Sequence, residues 1–277
     1  MKNKFLQLSM LALTAGSLFL TSCSKEESSK TTPADTGISV SETNTSVINK
    51  YTGSKCGPCG GWGWDMAVEL IDYSPKACYV GTFSQNFVAE EFISTTATTW
   101  DKELGVTGYP TFAVNHVLQL DRSSGVNTTS EKAKCKAAID AHSAAAVQAN
   151  VGFTTSWTQD AEGFWTININ SRTKFFKENS GEYYVGCYLL EDKAIGKQTG
   201  HTPSVGVEHH HVLRQTLEGL NYGYLAATNP TSGKTIDKTY TSIIPKNYVK
   251  DNMEVLFVIW KKNGSKYEFV NASTNQK

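Results

Sequence analysis

The sequence predicts an α/β layer domain over residues 46–146, followed by an all-β sandwich over residues 147–277. Three observations carry that expectation. In the first stretch, short apolar runs alternate with segments whose apolar residues recur at helical spacing, the pattern of strands and helices stacked in layers. In the second, seven short runs rich in β-branched and aromatic residues are separated by turn residues. The style changes near residue 147, and the chain shows no internal repeat.

The elements follow in chain order. Residues 1–22 read as an export signal and are set aside from the fold: Lys2 and Lys4 precede an apolar run over residues 5–20 that is too short to span a bilayer comfortably. Leu20-Thr21-Ser22-Cys23 resembles a bacterial lipobox. That resemblance implies that Cys23 is acylated, begins the mature chain and holds it to the outer membrane, because acyl chains supply apolar burial that a soluble domain lacks. Ser24-Lys25-Glu26-Glu27-Ser28 resembles a surface-export tag and implies the cell surface, with the periplasmic face as the alternative. Residues 23–45 are poor in apolar groups and read as a flexible tether.

Within 46–146, strands are expected at 47–51, 77–83 and just after Pro110, and helices at 66–73, 89–104 and 130–146, the last capped by Ser130. Beyond 147, strands are expected at 147–155, 164–170, 183–190, 209–213, 240–244, 253–260 and 267–271. Asn263-Gly264 between the last two marks a hairpin. Seven short strands of this kind suggest a sandwich of immunoglobulin-like type.

Charge and composition exclude several roles. The formal net charge is zero and no basic block or stripe occurs, so nucleic acid is not an expected partner. The helical segments argue against a transmembrane barrel. No Ser-His-Asp set, paired-carboxylate site or cofactor motif emerges from spacing. Glu208-His209-His210-His211 would put His209 and His211 on one face of a strand, but no third ligand is identifiable. Those imidazoles are therefore expected as surface or hydrogen-bonding groups, and no metal is expected. Trp157, Trp165, Tyr183, Tyr184, Tyr188 and Trp260 are expected as sandwich packing.

The chain holds six cysteines. With Cys23 acylated, Cys56 and Cys59 form a close pair and Cys78, Cys135 and Cys187 remain, so at least one is unpaired within the chain. Cys187 lies in an apolar run and reads as a small core residue. Cys78 and Cys135 read either as core or as a mutual bond.

Cys56-Gly57-Pro58-Cys59, placed between a strand and a helix, resembles the active site of the thioredoxin family, and Gly108-Tyr109-Pro110-Thr111 resembles that family's cis-proline loop. A thiol at a helix N-terminus is stabilised as thiolate by unpaired backbone N–H groups. The resemblance implies that Cys56 attacks a substrate disulfide, that Cys59 resolves the mixed disulfide, and that Pro110 shapes the groove for the substrate backbone. This sequence departs from the family in four places. Lys55 stands where Trp is usual, and Lys50 stands where a buried acid assists the second cysteine. Gly60 and Gly61 weaken the helix start. Three uses of the pair stay open: exchange, a static disulfide, or a metal pair, the last disfavoured because no second Cys-x-x-Cys occurs.

The lipobox, Tyr51-Thr52-Gly53 before the dithiol, Tyr188 to Asp192, His210-His211-Val212-Leu213-Arg214 and the closing Val255 to Trp260 run together resemble the outer-membrane-protein-twenty-eight family of surface lipoproteins. That resemblance implies location and architecture more than reaction. Two functions follow as expectations. One is thiol–disulfide exchange on exported proteins. The other is non-enzymatic surface binding or assembly, adhesin-like, with a structural dithiol and an unidentified partner for the sandwich.

Overall fold

Strand β1 (Ser46–Thr52) is buried along its whole length, because both faces are covered: Val47 and Tyr51 lie in one apolar core and Ile48 in another. It pairs in parallel with β2 (Ala77–Phe83), from Ser46 opposite Ala77 to Thr52 opposite Phe83. On its other edge it pairs antiparallel with β3 (Thr111–Val114), which continues into the short β4 (Val117–Leu118). The structure, a computed structural model, describes residues 37–85, 91–119, 126–219 and 221–276. The export signal, Cys23 and the first part of the tether lie outside the described residues.

Helix α1 (Gly57–Gly60) follows β1, and α2 (Trp62–Ile71) follows it after Gly61. α2 therefore starts earlier than the apolar spacing suggests, because Trp62 and Trp64 occupy its first turn. α3 (Thr95–Leu104) begins at Ser94, whose side chain accepts the Ala97 N–H at 3.0 Å, and not at residue 89. α4 (Thr128–Ala144) is capped by Asn127, whose Oδ1 accepts the Ser130 N–H. Ser130 thus sits inside the first turn and is not the cap.

The strands after residue 147 join those before it. β7 (Glu182–Glu191), β10 (Val212–Leu217), β13 (Met253–Asn263) and β14 (Lys266–Thr274) extend the same sheet in the order β14-β13-β7-β10-β2-β1-β3-β4. β10 meets β2 at Val212 opposite Gly81, and β11 (Tyr224–Thr228) pairs with β7 off this path. β5 (Ala149–Gln159), β6 (Trp165–Phe175) and β12 (Thr235–Ile244) form a separate three-stranded sheet. β8 (Ala194–Lys197) and β9 (Val205–His209) form a hairpin of their own. The expected strand over 209–213 is in fact two, β9 and β10. They part at His210 and His211, where His211 takes a left-handed backbone (φ 48°) that no strand accommodates.

Three layers of apolar packing hold this together. Ile48, Met66, Leu70, Phe112, Cys135 and Ile139 form the core under α2 and α4. Trp100 of α3 lies against Tyr188 and Trp260 at ring distances of 5.1 and 5.7 Å. Ile167, Phe175 and Tyr240 of the small sheet pack against Val185, Phe257 and other residues of the large one. Each fully buried large side chain contributes roughly 1.5–3 kcal/mol of transfer free energy.

The tether expected through residue 45 ends earlier. Asn150 donates through Nδ2 to the carbonyls of Ser41 and Thr43, and Asn44 donates to those of His142 and Ala145. Gly152 is required beneath this segment, since a Cβ there would lie 2.0 Å from the Ser39 carbonyl oxygen. Low apolar content hid the attachment, because side-chain amides and backbone groups make it.

Candidate functional site

The end of β1 delivers Gly53-Ser54-Lys55 as a turn in which the Cys56 N–H donates to the Gly53 carbonyl at 3.1 Å. Cys56 is the N-cap of α1, and its Sγ accepts the Cys59 N–H at 3.3 Å. Pro58 falls in the first turn, where its missing N–H costs nothing. Cys56 and Cys59 are joined as a disulfide with Cα atoms 5.2 Å apart. Cys56 is 5% exposed and Cys59 is fully buried.

The Tyr109–Pro110 bond is cis, and Pro110 is buried. Its ring lies against Gly63 in the first turn of α2: a Cβ on Gly63 would meet Pro110 Cγ at 2.4 Å. Tyr109 is anchored by a hydrogen bond from its hydroxyl to Asp101 of α3. So β1, α1–α2 and the loop before β3 bring Cys56, Cys59 and Pro110 into one neighbourhood.

The β8–β9 hairpin covers this neighbourhood. Gln198, fully buried, donates through Nε2 to the carbonyls of Gly53 and Cys56 at 3.2 and 3.0 Å. The Thr199 N–H donates to the Ser54 carbonyl at 2.8 Å. The hairpin backbone touches α1 directly: a Cβ on Gly60 would sit 2.3 Å from the Thr199 carbonyl oxygen, and one on Gly200 would sit 2.1 Å from that of Gly57. Gly60 therefore serves close approach of two backbones, where the sequence suggested only a weak helix start. A run holding Gly60, Gly61 and Gly63 beside the dithiol was the available signal.

Lys50 lies beneath the dithiol. It is 3% exposed, its Nζ donates to the Cys59 carbonyl at 3.1 Å, and it sits 5.2 Å from the centre of the Trp64 ring. Burial lowers its pKa to about 7, against the opposing pull of Asp65. A cavity of about 20 Å³ opens beside it, lined in part by Trp64, Tyr79, Phe83 and His209. Trp64 also contacts His201 of the covering hairpin at 4.5 Å. Lys55, next to Cys56, is exposed.

The three histidines have three different partners. His209 packs among Phe92, Phe83 and Trp64 at 5.0–5.7 Å, and burial lowers its pKa to about 4. His210 pairs with Asp192 at 2.9 Å, and His211 pairs with Glu254 at 2.7 Å. Among the described residues no group of three or more His, Cys, Asp or Glu converges on one point. Cys78, Cys135 and Cys187 are free and buried, so Cys78 and Cys135 do not bond to each other. Burial pushes the thiols of Cys78 and Cys135 up to about 12 and that of Cys187 well above its ordinary value. All three are inert beside the Cys56–Cys59 pair.

No curated protein sequence is similar to the chain. Among solved structures, HBP35 of Porphyromonas gingivalis superposes with a TM-score of 0.61 at 15% identity, covering 85% of this chain and 76% of that one, which is a likeness of fold. A domain of the outer membrane lipoprotein Omp28 from Porphyromonas gingivalis matches 46% of this chain and 86% of its own at 19% identity, with a TM-score of 0.31. The family model described as outer membrane protein Omp28 matches residues 97–275. That span is well over half of the chain, and the protein belongs to the Omp28 family of outer membrane proteins.

Proposed function

We propose that the protein is held to the cell surface by lipid on Cys23, and that its thioredoxin-like half exchanges thiols and disulfides on exported proteins beside an immunoglobulin-like sandwich. One observation carries the chemistry: Cys56 caps α1, with its sulfur accepting the Cys59 N–H. That contact stabilises a thiolate at Cys56 and marks it as the sulfur that attacks or is attacked. The stored Cys56–Cys59 bond supplies the oxidising equivalents. A substrate thiolate attacks Cys56 Sγ and Cys59 leaves as thiolate. A second substrate thiol then cleaves the mixed disulfide, so the substrate gains a disulfide and the pair ends reduced. Pro110, against Gly63, forms the wall along which the substrate backbone lies.

A second reading has its own support. The β8–β9 hairpin covers the dithiol and leaves Cys56 5% exposed, as suits a structural disulfide in a surface-binding protein. A glutathione redox titration with alkylation and mass analysis separates the two, and the three buried thiols serve as an unreactive internal reference. Exchange predicts that the pair cycles in the native protein and that Cys56 alkylates much faster than Cys59 at neutral pH. A pair that stays oxidised until the protein unfolds overturns it.

A further inference from the structure

A left-handed backbone is costly for a residue that carries a Cβ, and it persists where the surroundings hold it, often at binding sites. His211 (φ 48°) and Lys193 (φ 51°) both adopt it, and both line one cleft. The His211 Nδ1 lies 2.7 Å from the Glu254 carboxylate of β13, with Asp192 at 3.9 Å. A carboxylate only accepts, so Nδ1 carries the proton and the neutral ring presents a bare lone pair at Nε2. Nε2 has no hydrogen-bond partner among the described residues. It is not one of their sealed, unsatisfied polar atoms either, so it opens onto the space that His211 lines.

That space is two clefts, of about 570 and about 580 Å³, which meet at Ile71 and His211. Each falls within the roughly 300–1,000 Å³ of ordinary ligand sites. Their linings narrow what can bind. In the first cleft every carboxylate is already engaged: Asp192 by His210, Glu254 by His211 and Asp251 by Lys250. A cationic ligand finds no waiting partner there. An anion meets three carboxylates against two ammonium groups, Lys193 and Lys250. The second cleft has one carboxylate, Asp72, and no ammonium, and its hydroxyls include those of Ser41, Thr43, Ser74, Ser273 and Thr274. A hydroxyl both donates and accepts, so it matches a ligand that does the same. Trp157 of β5, half-buried, adds an apolar ring face in the first cleft.

We propose that the two clefts joined at His211 form one groove that binds a neutral oligosaccharide. A sugar hydroxyl donates to His211 Nε2, the hydroxyl-lined half holds further sugar hydroxyls, and Trp157 lies against the apolar face of a sugar ring. Glu254 is a positioning residue, fixing the ring and its tautomer. The groove acts independently of the dithiol, and it gives the surface-binding reading a ligand class.

The test titrates the full chain by calorimetry with maltohexaose, xylohexaose, mannohexaose and chitohexaose, and with spermidine and a casein-derived peptide mixture as the cationic and peptide alternatives. At least one sugar is expected to bind with a Kd of about 1 mM or tighter. His211→Asn tolerates the left-handed backbone but lacks Nε2, and weakens that binding about fivefold or more. Ser41→Trp, at an exposed position, fills the second cleft and weakens it as well. Should His211→Asn not fold, Ser41→Trp decides. The proposal is overturned if no sugar binds at about 10 mM, if binding is unchanged in either folded variant, or if only spermidine or the peptides bind. None of these outcomes bears on the redox titration of Cys56 and Cys59, so the groove and the exchange reading stand or fall separately.

Discussion

Gly60→Ala sets helix propensity against backbone contact. Alanine is better than glycine in a helix by about 1 kcal/mol, so propensity alone makes the variant more stable. The structure predicts the opposite sign. The new Cβ would lie 2.3 Å from the Thr199 oxygen, 2.6 Å from the His201 nitrogen and 2.8 Å from the Gly200 carbonyl carbon. All three are backbone atoms, so no rotamer change relieves the contact and the hairpin has to move. It is held by the two Gln198 hydrogen bonds to Gly53 and Cys56 and by the Thr199 bond to Ser54. Losing three bonds at about 1 kcal/mol each, less the helix gain of about 1, leaves a net loss of about 2 kcal/mol. Urea denaturation measures it as a lower midpoint. Alkylation of the reduced protein supplies a second readout, because displacing the hairpin uncovers Cys56 and speeds its labelling. A variant as stable as the parent, with an unchanged Cys56 labelling rate, would refute the packing argument.

Further outcomes are expected elsewhere. Asn271, fully buried, accepts the N–H groups of Thr45 and Ala272 and donates to the carbonyls of Thr43 and Ala149, so Asn271→Ala orphans several backbone groups and costs about 3 kcal/mol by denaturant titration. Lys50 has a folded pKa of about 7, below its unfolded value, so the unfolded chain binds more protons above pH 7. Wild-type stability therefore rises between about pH 7 and 10, and Lys50→Met loses that slope in denaturation at pH 6 and pH 9. His210 is raised by its hydrogen bond to Asp192, while Asp192 is held at about 2 against its burial by that bond and the neighbouring imidazoles. The pair's contribution is thus complete between about pH 4 and 6.5 and is lost as pH climbs through the raised His210 value. His210→Ala should cost under about 1 kcal/mol at pH 5.5, because the pair is partly exposed, and less at pH 8.5.

Elements whose burial is set locally were legible in the sequence. The apolar run of β2, the run around Cys187 in β7 and the β13–β14 hairpin all announce themselves, because fully buried strands need continuous apolar residues and a tight turn needs a residue like Gly264. Which strands lie side by side was not legible. Nothing local in Val212–Leu217 says that it inserts between β2 and β7. β8 and β9 are short and interrupted by Gly196 and Gly206, so no period of two emerges. The dithiol and Pro110 were picked out by the resemblance of their short motifs to those of the thioredoxin family. Lys50 was noticed only as a departure, since its burial against Cys59 depends on packing by α2 and β9 that a sequence pattern does not express.

The amide clasps near the end of the chain imply an order of events in time. Asn271 binds Thr43 and Thr45, and Gln276 bonds both the N–H and the carbonyl of Tyr79 in β2. The strands on either side of these contacts are far apart along the chain, and contacts of large sequence separation form late and slowly. A chain delivered from its N-terminus thus exposes β1 and β2 first and encloses them last. Until β10 and then Gln276 arrive, β2 is a waiting edge, open to other strands and to holding chaperones.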